Sequence, residues 1–151
     1  MALDFMAFQR IIVLIKNQIE NGKIVKISQI SNEEFLFVIR KNNYNNNLLI
    51  STHPNMSYIN LINKKPESNH INTNVLMLLR KHLENGIIES VTQQNNDRVV
   101  LFLIANKDDY FNDTKHKLYI ELIGKAANII LANKEDVIID ALKKIPLAYQ
   151  N

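Results

Sequence analysis

Apolar residues over the first twenty positions recur at helical spacing: Phe8, Ile11, Ile12, Ile15 and Ile19. That period predicts a helix over 4–20, with Asp4 able to cap its start and Asn21-Gly22 supplying a left-handed stop. The pattern then shortens to strand-like runs at Ile24–Gln29 and Glu34–Arg40, joined by Ser31-Asn32. The tract Asn42–Asn47 reads as a turn or loop, because asparagine tolerates positive φ. Strands are expected at Leu48–Thr52 and Met56–Ile62, before a polar loop from Asn63 to Asn69. A second helix is predicted over Asn74–Glu84, striped by Val75, Leu76, Leu79 and Leu83 and ended by Gly86. Strands follow at Ile87–Gln93, Arg98–Ala105, Lys117–Ile123, Asn128–Leu131 and Val137–Asp140. Hairpin-like spacings predict a mostly antiparallel sheet rather than βαβ units. The expectation is one α+β domain over 1–151 with two main helices, without internal repeats or coiled-coil heptads.

Composition narrows the functional classes. The 151 residues suffice for one hydrophobic core. No apolar run reaches membrane-span length, and the start lacks the basic and small-residue signature of a signal peptide, so a cytoplasmic protein is expected. The absence of cysteine removes disulfides, thiolate metal sites and thiol nucleophiles. A net charge of +3 is mild, so cations matter only where they cluster.

Few residues suggest chemistry. His53, His70, His82 and His116 have no metal-ligand spacing and read as scattered surface histidines. No nucleophile elbow, P-loop or dinucleotide fingerprint occurs, and Glu33-Glu34 and Asp108-Asp109 read as solvated turns. Arg80-Lys81 stand at a helix end, where the helix dipole favours cations and where they could also meet phosphates. Asp97-Arg98 precede an apolar strand: Arg98 could hold a phosphate or base edge, and Asp97 could orient it. Glu121 shares a strand face with Tyr119 and Ile123, an acid among apolar neighbours or on a solvated face. The turn Gly124–Asn128 presents Lys125.

Several segments, taken in order, carry a resemblance: Met1–Asp4, Asn21–Gln29, Leu48–Pro54, Met77–Glu84, Asp97-Arg98, Glu121–Gly124 and Asn128–Leu131. They resemble the opening, the helix exit, the LLLSAHP-like segment, the MLLRKHLE motif, the DR pair and the E-x-M-G…N-I-I-L block of the NFACT family. That family includes bacterial RqcH and also carries the label fibronectin-binding protein A-like. The chain departs from its pattern at Phe5, Asn96, Ile123 and the Lys125-Ala126-Ala127 triplet. The resemblance implies a fold like the N-terminal domain of formamidopyrimidine-DNA glycosylases. It implies a non-catalytic module of ribosome-associated quality control, without cofactor or metal. Expected partners are tRNA, alanyl-tRNA in particular, and the large ribosomal subunit carrying peptidyl-tRNA. In full-length relatives this leads to alanine tailing; their later domains are not in these 151 residues. The expected nucleic-acid contacts are Arg80, Lys81, Asp97, Arg98, Glu121, Lys125 and Asn128, with Arg80, Lys81, Asp97, Arg98 and Lys125 converging on one surface. Two other readings are a glycosylase-like enzyme, for which the N-terminal proline is replaced by Ala2-Leu3, and a fibronectin-binding adhesin.

Overall fold

In a computed structural model, residues 5–67, 71–94 and 97–144 are described, so the Asp4 cap, His70 and Asn96 fall outside them. Helix α1 (Phe5–Ile19) leads into β1 (Lys23–Ser31), β2 (Glu34–Lys41), β3 (Tyr44–His53) and β4 (Met56–Ile62). Helix α2 (Asn74–Leu83) leads into β5 (Ile87–Gln93), β6 (Val99–Lys107), β7 (Asp113–Glu121), β8 (Asn128–Asn133) and β9 (Ile138–Ala141). A short 3-10 turn, Gly124–Ala126, separates β7 from β8. The strands form one sheet in the order β4-β3-β2-β1-β5-β6-β7-β8-β9. Every neighbouring pair is antiparallel, as the hairpin spacings predicted.

The strand order reads outward from a centre, and the centre is thin. β1 and β5 meet at one register pair, Lys23 with Ile87. The halves are held instead by a shared core, in which Phe35, Phe37 and Ile50 join Phe102, Ile120 and Ile129. The helices complete it crosswise: α1 packs on β5, the first strand of the second half, and α2 on β1, the first strand of the first. Phe8, Ile12, Ile15 and Ile19 are the buried face of α1, and Val75, Leu76, Leu79 and Leu83 that of α2. Each such side chain contributes about 1.5–3 kcal/mol on burial.

The expectation of no internal repeat is overturned at this centre. Ile19-Glu20-Asn21-Gly22 and Leu83-Glu84-Asn85-Gly86 occupy equivalent places in the two halves. Asn21 and Asn85 both hold φ of 71°. Their backbones cross: Asn21 N donates to Ile88 O at 2.7 Å, and Asn85 N to Ile24 O at 2.7 Å. Ile24 N donates to Gly86 O at 2.8 Å, and Ile88 N to Gly22 O at 2.9 Å. Both first strands bulge just beyond, between Ile24 and Lys26 and between Ile88 and Ser90. A glutamate reaches each bulged strand from the opposite half: Ile27 N donates to Glu84 Oε2 at 2.9 Å, and Val91 N to Glu20 Oε2 at 3.1 Å. The repeat escapes composition-level scanning because only the Glu-Asn-Gly triplet is literal; the rest is shared burial and hydrogen bonding.

The stop signals also shift in detail. Asparagine, not glycine, takes the left-handed position in both triplets. The glycines are required by close approach: a Cβ on Gly22 would stand 2.7 Å from Ile39 Cγ2, and one on Gly86 2.7 Å from Ile104 Cγ2. The asparagine tract is mostly strand rather than loop. Asn42 and Asn43, at φ of 53° and 62°, form a two-residue turn of the primed type that suits strand twist. Asn45, Asn46 and Asn47 then pair with Arg40, Ile39 and Val38. β7 begins at Asp113, earlier than the expected Lys117, because its first inward positions, Thr114 and His116, are polar and hide the alternation.

The histidines correct another expectation. His82 on α2 and His116 on β7 stack with ring centroids 4.5 Å apart, tilted by 39°. His116 is 7% exposed, and its Nδ1 is buried without a hydrogen-bond partner. Burial holds both imidazoles below their ordinary value; Lys81 adds to this at His82, and His82 at His116.

Two outcomes follow from this packing. Glu20→Ala and Glu84→Ala should each cost about 1–3 kcal/mol in denaturant unfolding, since each leaves a strand N–H without its charged acceptor; two unchanged midpoints would show that the crossed glutamates carry no stability. The unfolded chain also takes up histidine protons at a higher pH than the fold does. The melting temperature should therefore drop from about pH 7.5 to about pH 5.5, and His116→Leu should flatten that slope. An equally steep slope in the variant would remove the stacked pair as its cause.

Candidate nucleic-acid interface

Arg98 stands immediately before β6, where the β5–β6 connection enters the sheet. The connection is set locally: Asp97 N donates to Gln94 O at 2.9 Å, and Asp97 Oδ1 accepts from Arg98 N at 2.8 Å. The Asp97 carboxylate thus orders the Arg98 backbone. Arg98 O accepts from Leu122 N at 2.8 Å, tying the connection to the end of β7. The Arg98 side chain makes no ion pair among the described residues.

Arg98 lines a cleft of about 650 Å³ with Pro54, Asn55, Tyr58, Leu122 and Gly124. One wall is β4, an edge strand paired only with β3. Four stretches distant in sequence meet there: Phe8 and Ile11 of α1, the run from Pro54 to Asn60, Arg98, and Leu122 with Gly124. The lining residues include neither carboxylate nor histidine. Beside apolar Phe8, Ile11, Met56, Ile59 and Leu122 they offer the Arg98 guanidinium, the Asn55 and Asn60 carboxamides and the Tyr58 ring, which suit an anionic, stackable ligand.

Glu121 belongs to this end of the molecule. Register places it opposite Val99 on β6 and Asn128 on β8. Buried His116, Leu118 and Ile120 alternate with half-buried Lys117, Tyr119 and Glu121, so Glu121 lies on the sheet face turned from the main core. Burial raises its pKa, and the charge of Asp97 adds to the rise. Lys125 is exposed on the 3-10 turn that follows Gly124.

Asn128 is occupied elsewhere. Its Nδ2 donates to Lys143 O at 2.9 Å, and its Oδ1 accepts from Lys143 N at 2.8 Å and Ile129 N at 2.9 Å. This buried clip fastens the segment after β9, and Lys143 Nζ in turn donates to Thr52 O at 3.1 Å beside the cleft-lining turn. The fold uses the amide oxygen twice and one of the two Nδ2 hydrogens.

Arg80 and Lys81 do not join this end. They line a second cleft, of about 610 Å³, with Asn106, Lys107, Asp109 and Phe111. Arg98 precedes the first residue of β6, whereas Asn106 and Lys107 are its last two. Over 9 residues the strand spans about 25 Å. Arg80 is also committed to the fold: its Nε donates to Ile27 O at 2.9 Å and lies 4.0 Å from Glu84. The expected single surface is therefore two, with Asp97, Arg98, Glu121 and Lys125 at one end of β6 and Arg80 and Lys81 at the other. Asn55, Tyr58 and Asn60 are cleft residues that sequence reasoning passed over, since nothing in the β3–β4 hairpin announces that it meets Arg98.

Known proteins place this geometry. The chain is 37% identical over 132 residues to the Rqc2 homolog RqcH of Bacillus subtilis, covering 87% of the chain and 23% of that protein. It is 32% identical over 146 residues to the Rqc2 homolog RqcH of Streptococcus pneumoniae, covering 96% and 26%. It thus spans about a quarter of the length of these curated relatives. Among solved structures, the N-terminal part of the fibronectin/fibrinogen-binding protein of Streptococcus suis superposes with a TM-score of 0.92 at 31% identity, covering 97% of this chain and 55% of that one. The N-terminal domain of fibronectin-binding protein PavA of Streptococcus pneumoniae gives 0.92 at 30% identity, covering 99% and 57%. Residues 4–151 match the family described as NFACT N-terminal and middle domains, and with a fold shared at this level the chain belongs to that family.

Proposed function

We propose that this chain is a non-catalytic tRNA- and large-ribosomal-subunit-binding module of a cytoplasmic ribosome-associated quality control factor. The observation that carries the reading is the cleft where the Pro54 turn, Arg98 and the Gly124 turn meet. These are segments that resemble the family's motifs: the β6–β7 ladder sets Arg98 beside Leu122, and the Pro54 turn joins them only through the packing of the whole fold. Arg98 takes a phosphate or base edge, Tyr58 offers a ring for stacking, and Lys125 adds charge at the rim. Asp97 holds the backbone of Arg98, and Glu121 tempers an otherwise cationic end. A lining without carboxylate or histidine supports binding rather than proton transfer. The likeness to the N-terminal fold of formamidopyrimidine-DNA glycosylases is part of this reading and extends to the fold alone. Within a full-length factor, the module would present alanyl-tRNA to a large subunit that holds peptidyl-tRNA. The alanine tailing itself belongs to the whole protein.

The names of the solved neighbours favour a second reading, a direct contact with fibronectin. Immobilised fibronectin and tRNA offered to the same preparation separate the two.

In filter binding, Arg98→Ala should weaken tRNA binding by about 1–3 kcal/mol, with affinity falling steeply as salt rises. Because Lys81 lines the cleft at the opposite end of β6, a strand of about 25 Å against a Debye length of about 8 Å at physiological salt, Lys81→Ala should leave tRNA binding nearly unchanged. Wild-type chain that fails to retain tRNA at low salt would end the proposal. Glu121 titrates in the opposite sense to the histidines. Its pKa is raised in the fold, so the ionised form destabilises the fold at neutral pH and the difference vanishes as pH falls through the raised value. Glu121→Gln should therefore raise the melting temperature at neutral pH and lose that advantage in acid. A lower melting temperature would mean that the carboxylate is instead satisfied where it stands.

A further inference from the structure

The β6–β7 turn carries two neighbouring aromatic side chains in open solvent. Tyr110 is 84% exposed and Phe111 80%. The turn that bears them is tightly ordered: Asp108 Oδ1 accepts from Tyr110 N at 2.9 Å and from Asn112 N at 2.9 Å. Asp108 N donates to Asn112 O, and Phe111 N to Asp108 O, both at 3.0 Å. Phe111 holds φ of 64°, a backbone conformation that a bulky L residue adopts only under strain of about 1–3 kcal/mol. Asparagine occupies most of the other left-handed positions of this chain, so the phenylalanine is not there for the turn's sake. Two aromatic rings carried on an ordered turn have the composition of an interface anchor, and the fixed backbone lowers its ordering cost.

Charge selects the class of partner. The cations near the tip are already paired: Lys107 with Asp113 at 2.6 Å, Arg80 with Glu84 at 4.0 Å, and Lys115 with Glu89 at 3.1 Å. Asp108 and Asp109 make no ion pair among the described residues. The hydrogen bonds of the turn hold the Asp108 carboxyl below its ordinary value, so it stays ionised. Lys81 is the cation left to face them. With two carboxylates against one facing cation the tip stays acidic, which repels a phosphate backbone and favours a basic surface.

We propose that the Tyr110-Phe111 tip is a protein-docking anchor, its two rings entering an apolar pocket rimmed by lysine or arginine on a protein of the large ribosomal subunit. This rests on the proposed ribosomal role and assigns the end of the molecule opposite the Arg98 cleft. Tip and cleft, separated by the length of β6, can then be engaged together, one by protein and one by tRNA.

The test uses purified large subunits, isolated tRNA and two forms of the chain. The first is the double variant Tyr110→Ser, Phe111→Asn; asparagine accepts the left-handed backbone, so the turn is kept and its strain relieved. The expected result is about a tenfold or greater loss of subunit affinity, unchanged tRNA binding and an unchanged or higher melting temperature. A lowered melting temperature with unchanged subunit affinity would make the tip structural and overturn the inference. The second form carries a photoreactive benzophenone side chain at position 110. Irradiation on the subunit should yield a crosslink to a ribosomal protein; a crosslink to rRNA, to a second copy of the chain, or none at all would overturn it. If wild-type chain binds neither subunit nor tRNA, the ribosomal reading falls first and takes the anchor with it. If it binds both and the tip variants bind equally well, only the anchor falls.

Discussion

Two backbone N–H groups on bulged strands, Ile27 and Val91, are served by glutamates from the opposite half of the chain. Much of the rest depends on this exchange. β1 and β5 part after the Lys23–Ile87 pair, so amides along their facing edges have no strand partner there, and a half-buried amide without an acceptor is costly. Glu84 and Glu20 meet that need, and each can do so only if its helix crosses to the other half. The crossing fixes where both helices pack, why β1 and β5 touch at one register pair, and why glycine must follow each asparagine. The two halves are thereby locked into one core.

The same geometry disperses the polar chemistry. Because the strands run outward from a common centre, residues at opposite ends of β6 share a strand but not a surface. One end gathers Arg98, the β3–β4 turn and Gly124 around a cleft free of carboxylates. The other gathers Arg80, Lys81 and the acidic aromatic turn. Charge differs between the ends for local reasons. At Arg98 the neighbouring carboxylate is engaged with the backbone, and the guanidinium makes no ion pair among the described residues. At Arg80 the cation is drawn into the helix–strand contact that holds the halves together.

Asparagine accounts for several features that glycine or aspartate would serve in other chains. It takes the left-handed positions at both helix exits and both central places of the β2–β3 turn. It clips the segment after β9 through Asn128 and, through Asn106 Nδ2, binds His82 O and Glu84 O at 3.0 Å each. A side chain that is both donor and acceptor, and tolerant of positive φ, can substitute for glycine in turns and for ordered water in clips.

The helix stripes of Phe8 to Ile19 and Val75 to Leu83, the antiparallel hairpins and the motif order that carries the family likeness are written in the sequence, because helical period, alternation and turn chemistry are local. Local signals also misled where polar residues entered strands, as in Asn45–Asn47 and the first residues of β7. What only the tertiary structure decided is which distant residues meet. The stacking of His82 on His116, the recruitment of Asn128 and Arg80 into the fold, the company Arg98 keeps and the separation of the expected cations into two ends all follow from how two half-sheets share one core. A contact between segments dozens of residues apart is set by packing of the whole, and no pattern within either segment records it.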